Sequence, residues 1–472
     1  MTDTLHCDLC VIGAGSAGLS VAVGAVQLGA RTVLFEKGAM GGDCLNYGCV
    51  PSKSLLAAAH AAQTIADAGR FGISCGAPEV DFPTVMSHVR DVIAQIAPHD
   101  SVERLEKLGV RVIRAPAAFT GRDEVSGGGI RVRARRFVIA AGSSAVIPSV
   151  PGIADVPVLT NENLFTLRER PAHLLVVGGG PIGVEMAQAF RRLGSAVTLF
   201  QRGRLLPRDE PEFVEALSER LAVEGITVHE HADITEVARS GSGITVRTGK
   251  STEAVGSHLL VAAGRQPRLA GLALERAGVA HTAHGITVDT RLRTTNKRVF
   301  ALGDVIGRPQ FTHTAGYQAG ILIRNALFRL PAKVDYRALP RVTYSDPELA
   351  HVGLTEQEAR ERFGGAVRVV RAGLADNDRA RAERQVTGGI KVVIDGRGTV
   401  LGAGILGPHA GELIGLWGLA ITRRLKLGAL TDVIFPYPTL GEISKAAVSA
   451  FYAPKLFSPW PKRLARMLLS LP

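Results

Sequence analysis

Apolar and polar positions along the 472-residue chain fall into a pattern that occurs twice. Residues 10–38 read CVIGAGSAGLSVAVGAVQLGARTVLFEKG, and residues 175–203 read LVVGGGPIGVEMAQAFRRLGSAVTLFQRG. Each copy opens on a short apolar run and passes through a G-x-G-x-x-G turn into a helix-forming stretch. After a further glycine it returns to a second β-rich run. A constant offset of 165 carries Gly13 to Gly178, Gly15 to Gly180, Gly18 to Gly183 and Gly29 to Gly194. The pattern predicts two βαβ units, each with a dinucleotide fingerprint in the context that fingerprint requires. The first glycine permits the tight turn, the second lets backbone approach a pyrophosphate, and the third lets helix and strand pack closely. The helix N-terminus then offers free N–H groups and a positive dipole to phosphate. No apolar run reaches the ~18 residues of a membrane-spanning helix.

The repeats differ where the second strand ends. Glu36 stands 23 positions after Gly13, where a carboxylate hydrogen-bonds an unphosphorylated adenosine ribose, as in FAD or NAD. Gln201 stands 23 positions after Gly178 and is followed by Arg202 and Arg204. The acid is gone and two guanidinium groups are near, which suits a 2′-phosphate and so favours NADPH. Gly183 as the third glycine pulls towards NADH, which stays open as the second donor.

Length predicts about three domains at ~150 residues each, and 46% hydrophobic residues can supply their cores. The formal charge of +12 raises nucleic-acid binding. The basic residues are mostly scattered arginines with no aromatic-interleaved stripe, so no nucleic-acid partner is expected. Met1–His6 is polar and the apolar stretch after it runs straight into a glycine loop, so no secretory leader is expected. The expected location is cytoplasmic, where five cysteines in a long chain point to chemistry rather than a disulfide framework.

That chemistry concentrates in GGDCLNYGCVPSK, residues 41–53. Pro51 and the helix-forming run after it predict a helix starting near Cys49, whose N-terminus favours a thiolate. Cys44 and Cys49 at this spacing are expected to close a strained, reducible disulfide on one helical turn. Cys7 and Cys10 sit on the predicted first strand, where alternation places them on opposite faces, and no metal or redox role is assigned to them. Cys75 reads as structural, and no metal site is predicted.

Residues 41–53 closely resemble the G-G-T-C-L-N-x-G-C-x-P-S-K signature of the class I pyridine nucleotide–disulfide oxidoreductases, with Asp43 in place of Thr. The resemblance covers essentially the whole chain and lies nearest the dihydrolipoamide dehydrogenase and mercuric reductase groups. It implies an α/β fold with two Rossmann-like dinucleotide-binding domains and a C-terminal α+β interface (dimerisation) domain. The implied ranges are 1–148 and 266–336 for FAD, 149–265 for NAD(P), 337–455 for the interface and 456–472 for a basic tail. Cys44 is then the interchange thiol that meets substrate, Cys49 the thiol beside the flavin, and Lys53 a residue near flavin N5 paired with Glu185. Asp304 and Gly303 in FALGDV match the second FAD motif. VIAAGS at 138–143 and LLVAAGRQPR at 259–268 resemble the two strand-to-glycine crossings, which adds Ala141, Gly142 and Gly264. With Gly13, Gly15, Gly18, Glu36, Lys37 and Gly42 for FAD, and Gly178, Gly180, Gly183, Gln201, Arg202 and Arg204 for NADPH, these are the expected cofactor contacts.

The chain departs from the family near its C-terminus. The usual H-P-T-x-x-E, whose His serves the interchange thiol of the partner subunit, is here YPTLGE, Tyr437 to Glu442. A phenol with reference pKa near 10 is a poor proton shuttle at neutral pH. Mercuric reductases share this Tyr and resemble DNDRARAE at 376–383, yet no cysteine follows Cys75 to form their terminal pair. The first fingerprint helix lacks the arginines glutathione reductase uses, and Pro181 replaces a common nicotinamide-gating Tyr. The expectation is a homodimeric NAD(P)H oxidoreductase acting through FAD and Cys44–Cys49 on a small-molecule, disulfide or other acceptor. Metal-ion or quinone reduction is the alternative, and a low-turnover redox sensor or scaffold is an alternative of another class. In the tail, Lys462, Arg463 and Arg466 alternate with Leu464, Met467, Leu468 and Leu471, a spacing that suggests peripheral membrane contact.

Overall fold

A computed structural model describes residues 4–241, 243–249 and 252–471. Met1–Asp3 of the polar N-terminal stretch, Ser242, Lys250 and Ser251 of the expected NAD(P) domain, and Pro472 of the tail lie outside the described residues. The protein is α/β, as the repeats predict, and its contacts divide it into two compact units. One comprises Met1–Gly178, Ala189–Arg202 and Ala232–Val334; the other comprises Gly179–Gln188, Gly203–His231 and Asp335–Pro472.

In the first unit, β1 (Thr4–Ile12), α1 (Ser16–Gln27) and β2 (Thr32–Phe35) form the first βαβ unit. All four residues of β2 are buried, as expected for a parallel strand covered on both faces. Two helices, α2 (Gly42–Asn46) and α3 (Cys49–Asp67), follow. Strands β3 (Val110–Ile113), β4 (Ala118–Phe119), β5 (Glu124–Gly127) and β6 (Ile130–Ile139) complete a sheet of order β3-β2-β1-β6-β5-β4, with strand Val299–Ala301 parallel to β6. Leu9, Val11 and Leu34 pack on one face, and Cys10, Ile12 and Phe35 on the other. Helix Thr312–Ala326 packs so closely on α1 that a Cβ on Gly24 would lie 2.5 Å from Ile323 Cδ1.

The first strand corrects one expectation. Asp8 N and Leu9 N both donate to Arg31 O, at 2.9 and 3.2 Å, so the strand kinks there. Asp8 turns out to Arg31 and Arg135. Strand β6 switches its inward parity at the same level, between Ala134 and Phe137, so the β1–β6 register is kept. Alternation across faces holds only for a uniform strand. Cys7 and Cys10 therefore enter the same core cluster rather than opposite faces. Burial pushes the Cys7 thiol up to about 12 and raises Cys10 as well, so both stay protonated packing groups.

Strand β7 (Ser143–Ala145) pairs with strand Arg265–Pro267, and β8 (Val158–Leu159) edges a parallel sheet with strand His258–Val261. That sheet continues into β9 (His173–Val177) and β10 (Ala196–Phe200), the strands of the second repeat. Helix Pro181–Arg192 connects them along the chain.

The second unit holds a five-stranded antiparallel sheet in the order Pro340–Thr343, Glu348–Gly353, Val400–Gly407, Gly389–Ile394, Arg368–Gly373. Helices Gly415–Thr422 and Glu442–Leu456 cover its core through Trp417, Ile443 and Ala447. Trp417 Nε1 donates to Ser444 Oγ at 3.2 Å, which satisfies the buried indole. Lys391 is buried on the fourth strand of the sheet, with Nζ 2.7 Å from Glu210, 2.8 Å from Glu212 and 2.7 Å from Glu356. A cation survives such burial only when paired. Helix Pro459–Leu469 follows, with none of its residues buried. No helix among the described residues is long and apolar enough to cross a membrane.

A candidate redox site

The first fingerprint builds a cradle for a dinucleotide. Gly13 has φ +106°, and a side chain there would collide with the Ala140 carbonyl oxygen; one on Gly18 would collide with that of Gly13. Gly15 caps α1 with no side-chain hydrogen bond and no acid in the first turn, so the helix's first N–H groups stay open to an anion. Gly42 faces it: a Cβ on Gly42 would lie 2.6 Å from Gly15 Cα. Glu36 closes the turn, Oε2 accepting from Ala14 N and Oε1 from Gly38 N, both at 2.6 Å. Lys37 is exposed beside it. Gly142 (φ +71°) and Gly303 (φ +72°) take left-handed conformations, and Ala141 is half-buried before the first of them. Gly264 (φ +131°) has open space where a Cβ would stand. The Thr314 hydroxyl, in helix Thr312–Ala326, is buried without a hydrogen-bond partner. An uncapped helix end, a backbone cradle that side chains would fill, and an orphaned donor together fit FAD.

Cys44 lies in α2 and Cys49 is the first residue of α3. The two are therefore not on one helical turn, as the spacing suggested. Gly48 (φ −125°, ψ −107°) breaks the helix between them, and a Cβ at Gly48 would crowd Asp43 Oδ2 at 3.0 Å. Both cysteines are free thiols and strongly unequal. The Cys44 S–H donates to the Cys49 sulfur, which holds the Cys49 thiol down at about 6 against the opposing effect of burial. The Thr312 hydroxyl, 3.4 Å from Cys49 Sγ, and the positive charge of Lys53 add to the lowering. Cys44 is correspondingly pushed far up, first by that hydrogen bond and then by burial. At neutral pH the pair is one thiolate and one thiol.

Asp43, the residue that departs from the family signature, ties the cysteine loop to the rest of the first unit. Its Oδ1 accepts from Asn161 Nδ2 at 2.8 Å, and its Oδ2 lies 3.2 Å from Arg265 Nη2. Arg265 Nε donates to Ser143 Oγ at 2.8 Å, and Ser143 donates to Asp304 Oδ2 at 2.5 Å. Burial pushes the Asp304 carboxyl up, against the pull of Ser143 and Arg265. The sequence flagged Asp43 only as a mismatch. Thr312 and Asn161 carried no signal, and Ser143 and Arg265 were marked only as members of the two crossing segments, because their partners are over a hundred positions away.

The second fingerprint repeats the turn. Gly178 has φ +114°, and a side chain there would collide with the Ala262 carbonyl oxygen. Gly180 has open space in the Cβ direction, and Gly183 is buried. After β10, Gln201 is half-buried while Arg202 and Arg204 are exposed. Glu185 is buried in the second unit, where Oε1 accepts from Tyr344 N at 2.9 Å. Lys53 belongs to the first unit and Glu185 to the second. Tyr437, 71% exposed, donates from Oη to Asp378 Oδ2 at 3.2 Å. That bond, with the charges of Asp378 and Glu442, pushes the phenol above its usual value. Asp378 falls in the DNDRARAE segment, but its partnership with Tyr437 was not legible there. Among the described residues no cluster of His, Cys, Asp or Glu could hold a metal ion.

Two family models match the chain. The one described as pyridine nucleotide-disulphide oxidoreductase covers residues 7–319, and that family's dimerisation domain covers 339–448. The mercuric reductase of Streptomyces lividans is 38% identical over 94% of this chain and 96% of its own length. The dihydrolipoyl dehydrogenase of Bacillus subtilis is 33% identical over 92% of this chain and 96% of its own. A solved Cu(II) complex of the HOCl-induced flavoprotein disulfide reductase RclA from Escherichia coli superposes with a TM-score of 0.85 at 29% identity. It covers 94% of this chain and 99% of that one.

Proposed function

The chain belongs to the pyridine nucleotide-disulphide oxidoreductase family, FAD-dependent enzymes with NAD(P)H as electron donor, and on that premise we propose that Cys44 and Cys49 are its redox pair and NADPH its donor. The observation that carries the reading is the placement of Cys49 as the first residue of α3, with the Thr312 hydroxyl 3.4 Å from its sulfur and Cys44 in the helix before it. Bound FAD supplies two-electron transfer between the nicotinamide and the cysteine pair. The chain's own residues do the rest. Arg202 and Arg204 supply charge for a 2′-phosphate. Glu36 fixes the loop that receives an adenosine ribose. Cys44 and Thr312 hold Cys49 as a thiolate on the flavin side, and Cys44 is the thiol that meets an acceptor. Lys53 and Glu185 are assigned to the flavin side by the family pattern. We place the FAD domain at 1–148 and 266–336, the NAD(P) domain at 149–265 and the interface at 337–455. The match to the dimerisation domain supports a homodimer, to which the reading assigns a cytoplasmic location. Peripheral membrane contact is assigned to the tail helix.

A steady-state panel of lipoamide, glutathione disulfide, Hg(II) and quinones, run with NADH and with NADPH, tests the assignment. Cys44→Ser should abolish turnover of the preferred acceptor. Turnover equal to wild type would show that the acceptor draws electrons elsewhere.

A second reading, reduction of a thiophilic metal ion, is favoured by Tyr437. Disulfide exchange needs a group that moves a proton to the leaving thiol near neutral pH. A phenol pushed upward by Asp378 does not do this. A metal ion needs no such shuttle, since it displaces the Cys44 proton directly as the metal–sulfur bond forms. The relatives named mercuric reductase support this reading.

A further inference from the structure

Large exposed apolar side chains gather at the C-terminus: Leu456, Phe457, Trp460, Met467, Leu468 and Leu469 are each more than half exposed. Four residues of helix Pro459–Leu469 form one stripe at 3.6 residues per turn, namely Trp460, Leu464, Met467 and Leu468. Lys462 and Arg466 lie opposite the stripe, Arg463 lies on its flank, and Leu469 falls on the basic side. Charge over this end has a single sign. No Asp or Glu follows Glu442, while Lys445, Lys455, Lys462, Arg463 and Arg466 do. The helix also begins after the dimerisation-domain match has ended at residue 448.

We propose that this helix lies in the plane of a membrane surface rich in anionic phospholipid. The apolar stripe enters the boundary between headgroups and acyl chains, and the basic face pairs with headgroup phosphates. The inference rests on the peripheral contact assigned above and adds the chemistry of the lipid. Charge complementarity selects the occupant. A second copy of the same helix would bring like charges together, and a nucleic acid would use the basic face while leaving the apolar stripe in water. Trp460 suits the interface, where an amphipathic ring places its body in apolar surroundings and its N–H in water.

The test is co-sedimentation of the FAD-loaded full-length enzyme with two kinds of vesicle. One is pure phosphatidylcholine, and the other is equal parts phosphatidylcholine and phosphatidylglycerol. The full chain should bind the mixed vesicles and lose them in high salt, as the Debye length falls to about 3 Å near 1 M. A truncation after Ser458 should lose binding to both. Replacing Lys462, Arg463 and Arg466 together by Gln should weaken partitioning onto the anionic vesicles roughly a hundredfold. Size-exclusion with light scattering should show all three proteins in the same oligomeric state, and dye reduction with NADPH should be equal in all. Equal binding to both kinds of vesicle overturns the anionic selectivity and leaves peripheral contact standing. Binding to neither overturns the contact itself. Dissociation of the truncated protein into monomers overturns both, by assigning the helix to the partner subunit.

Discussion

The two βαβ repeats share a backbone and diverge in chemistry. Gly13 and Gly178 have nearly the same φ, +106° and +114°, and a side chain on either would strike the carbonyl oxygen of a neighbouring crossing strand, Ala140 or Ala262. In each copy the turn is fixed by what glycine alone permits. The far ends follow different rules. Glu36 accepts two backbone N–H groups at 2.6 Å and belongs to the wall of its own loop. Gln201, Arg202 and Arg204 leave the corresponding end uncharged at the strand and basic beyond it. One repeat therefore ends on a carboxylate held by its own loop, and the other on two exposed guanidinium groups.

The largest break in this comparison is Gly13→Ala. A non-glycine residue at that φ, set against a carbonyl oxygen, should cost about 2–4 kcal/mol and release FAD, so the purified variant should lack the visible flavin spectrum. Gly178→Ala carries the same strain. Its expected outcome separates the repeats: the flavin spectrum stays and the KM for NADPH rises at least ~10-fold. Next, Arg202→Ala with Arg204→Ala should cost about 1.5–3 kcal/mol of NADPH binding, seen as a ten- to hundredfold rise in KM with NADH unaffected. Equal loss for both nucleotides would remove the 2′-phosphate assignment. Smallest is Glu36→Gln, which keeps one acceptor and should weaken FAD by about 1 kcal/mol, measured by flavin release on dilution.

The repeats were legible because they are local: glycine spacing and apolar runs state the turn and its flanking strands within thirty residues. The helix start at Cys49 was equally local. What escaped depends on distance. The kink at Asp8 that turns Cys7 and Cys10 to one face needs Arg31 and Arg135 beside it. The break at Gly48 is missed when Cys44 and Cys49, five positions apart, are read as one helical turn, which spans only about 3.6 residues. Asp43 read as a substitution, and only the fold shows it joined to Arg265 and Asn161. Tyr437 was identified as a departure, but not its bond to Asp378, fifty-nine positions earlier.

The proposed redox pair requires one thiol to be ionised at neutral pH and the other not. A thiol deprotonates as pH rises, so Cys49 should be a thiolate above about pH 6 and lose that form below it. In the FAD-loaded, NADPH-reduced enzyme the long-wavelength band from a thiolate beside the flavin, titrated anaerobically against pH, reads this directly. The predicted midpoint is about 6. The band should vanish in Cys49→Ser, and its midpoint should move up towards the ordinary thiol range in Cys44→Ala, which removes the largest cause of the lowering. A wild-type midpoint near 9, or a band that persists in Cys49→Ser, would contradict the assignment of the two cysteines.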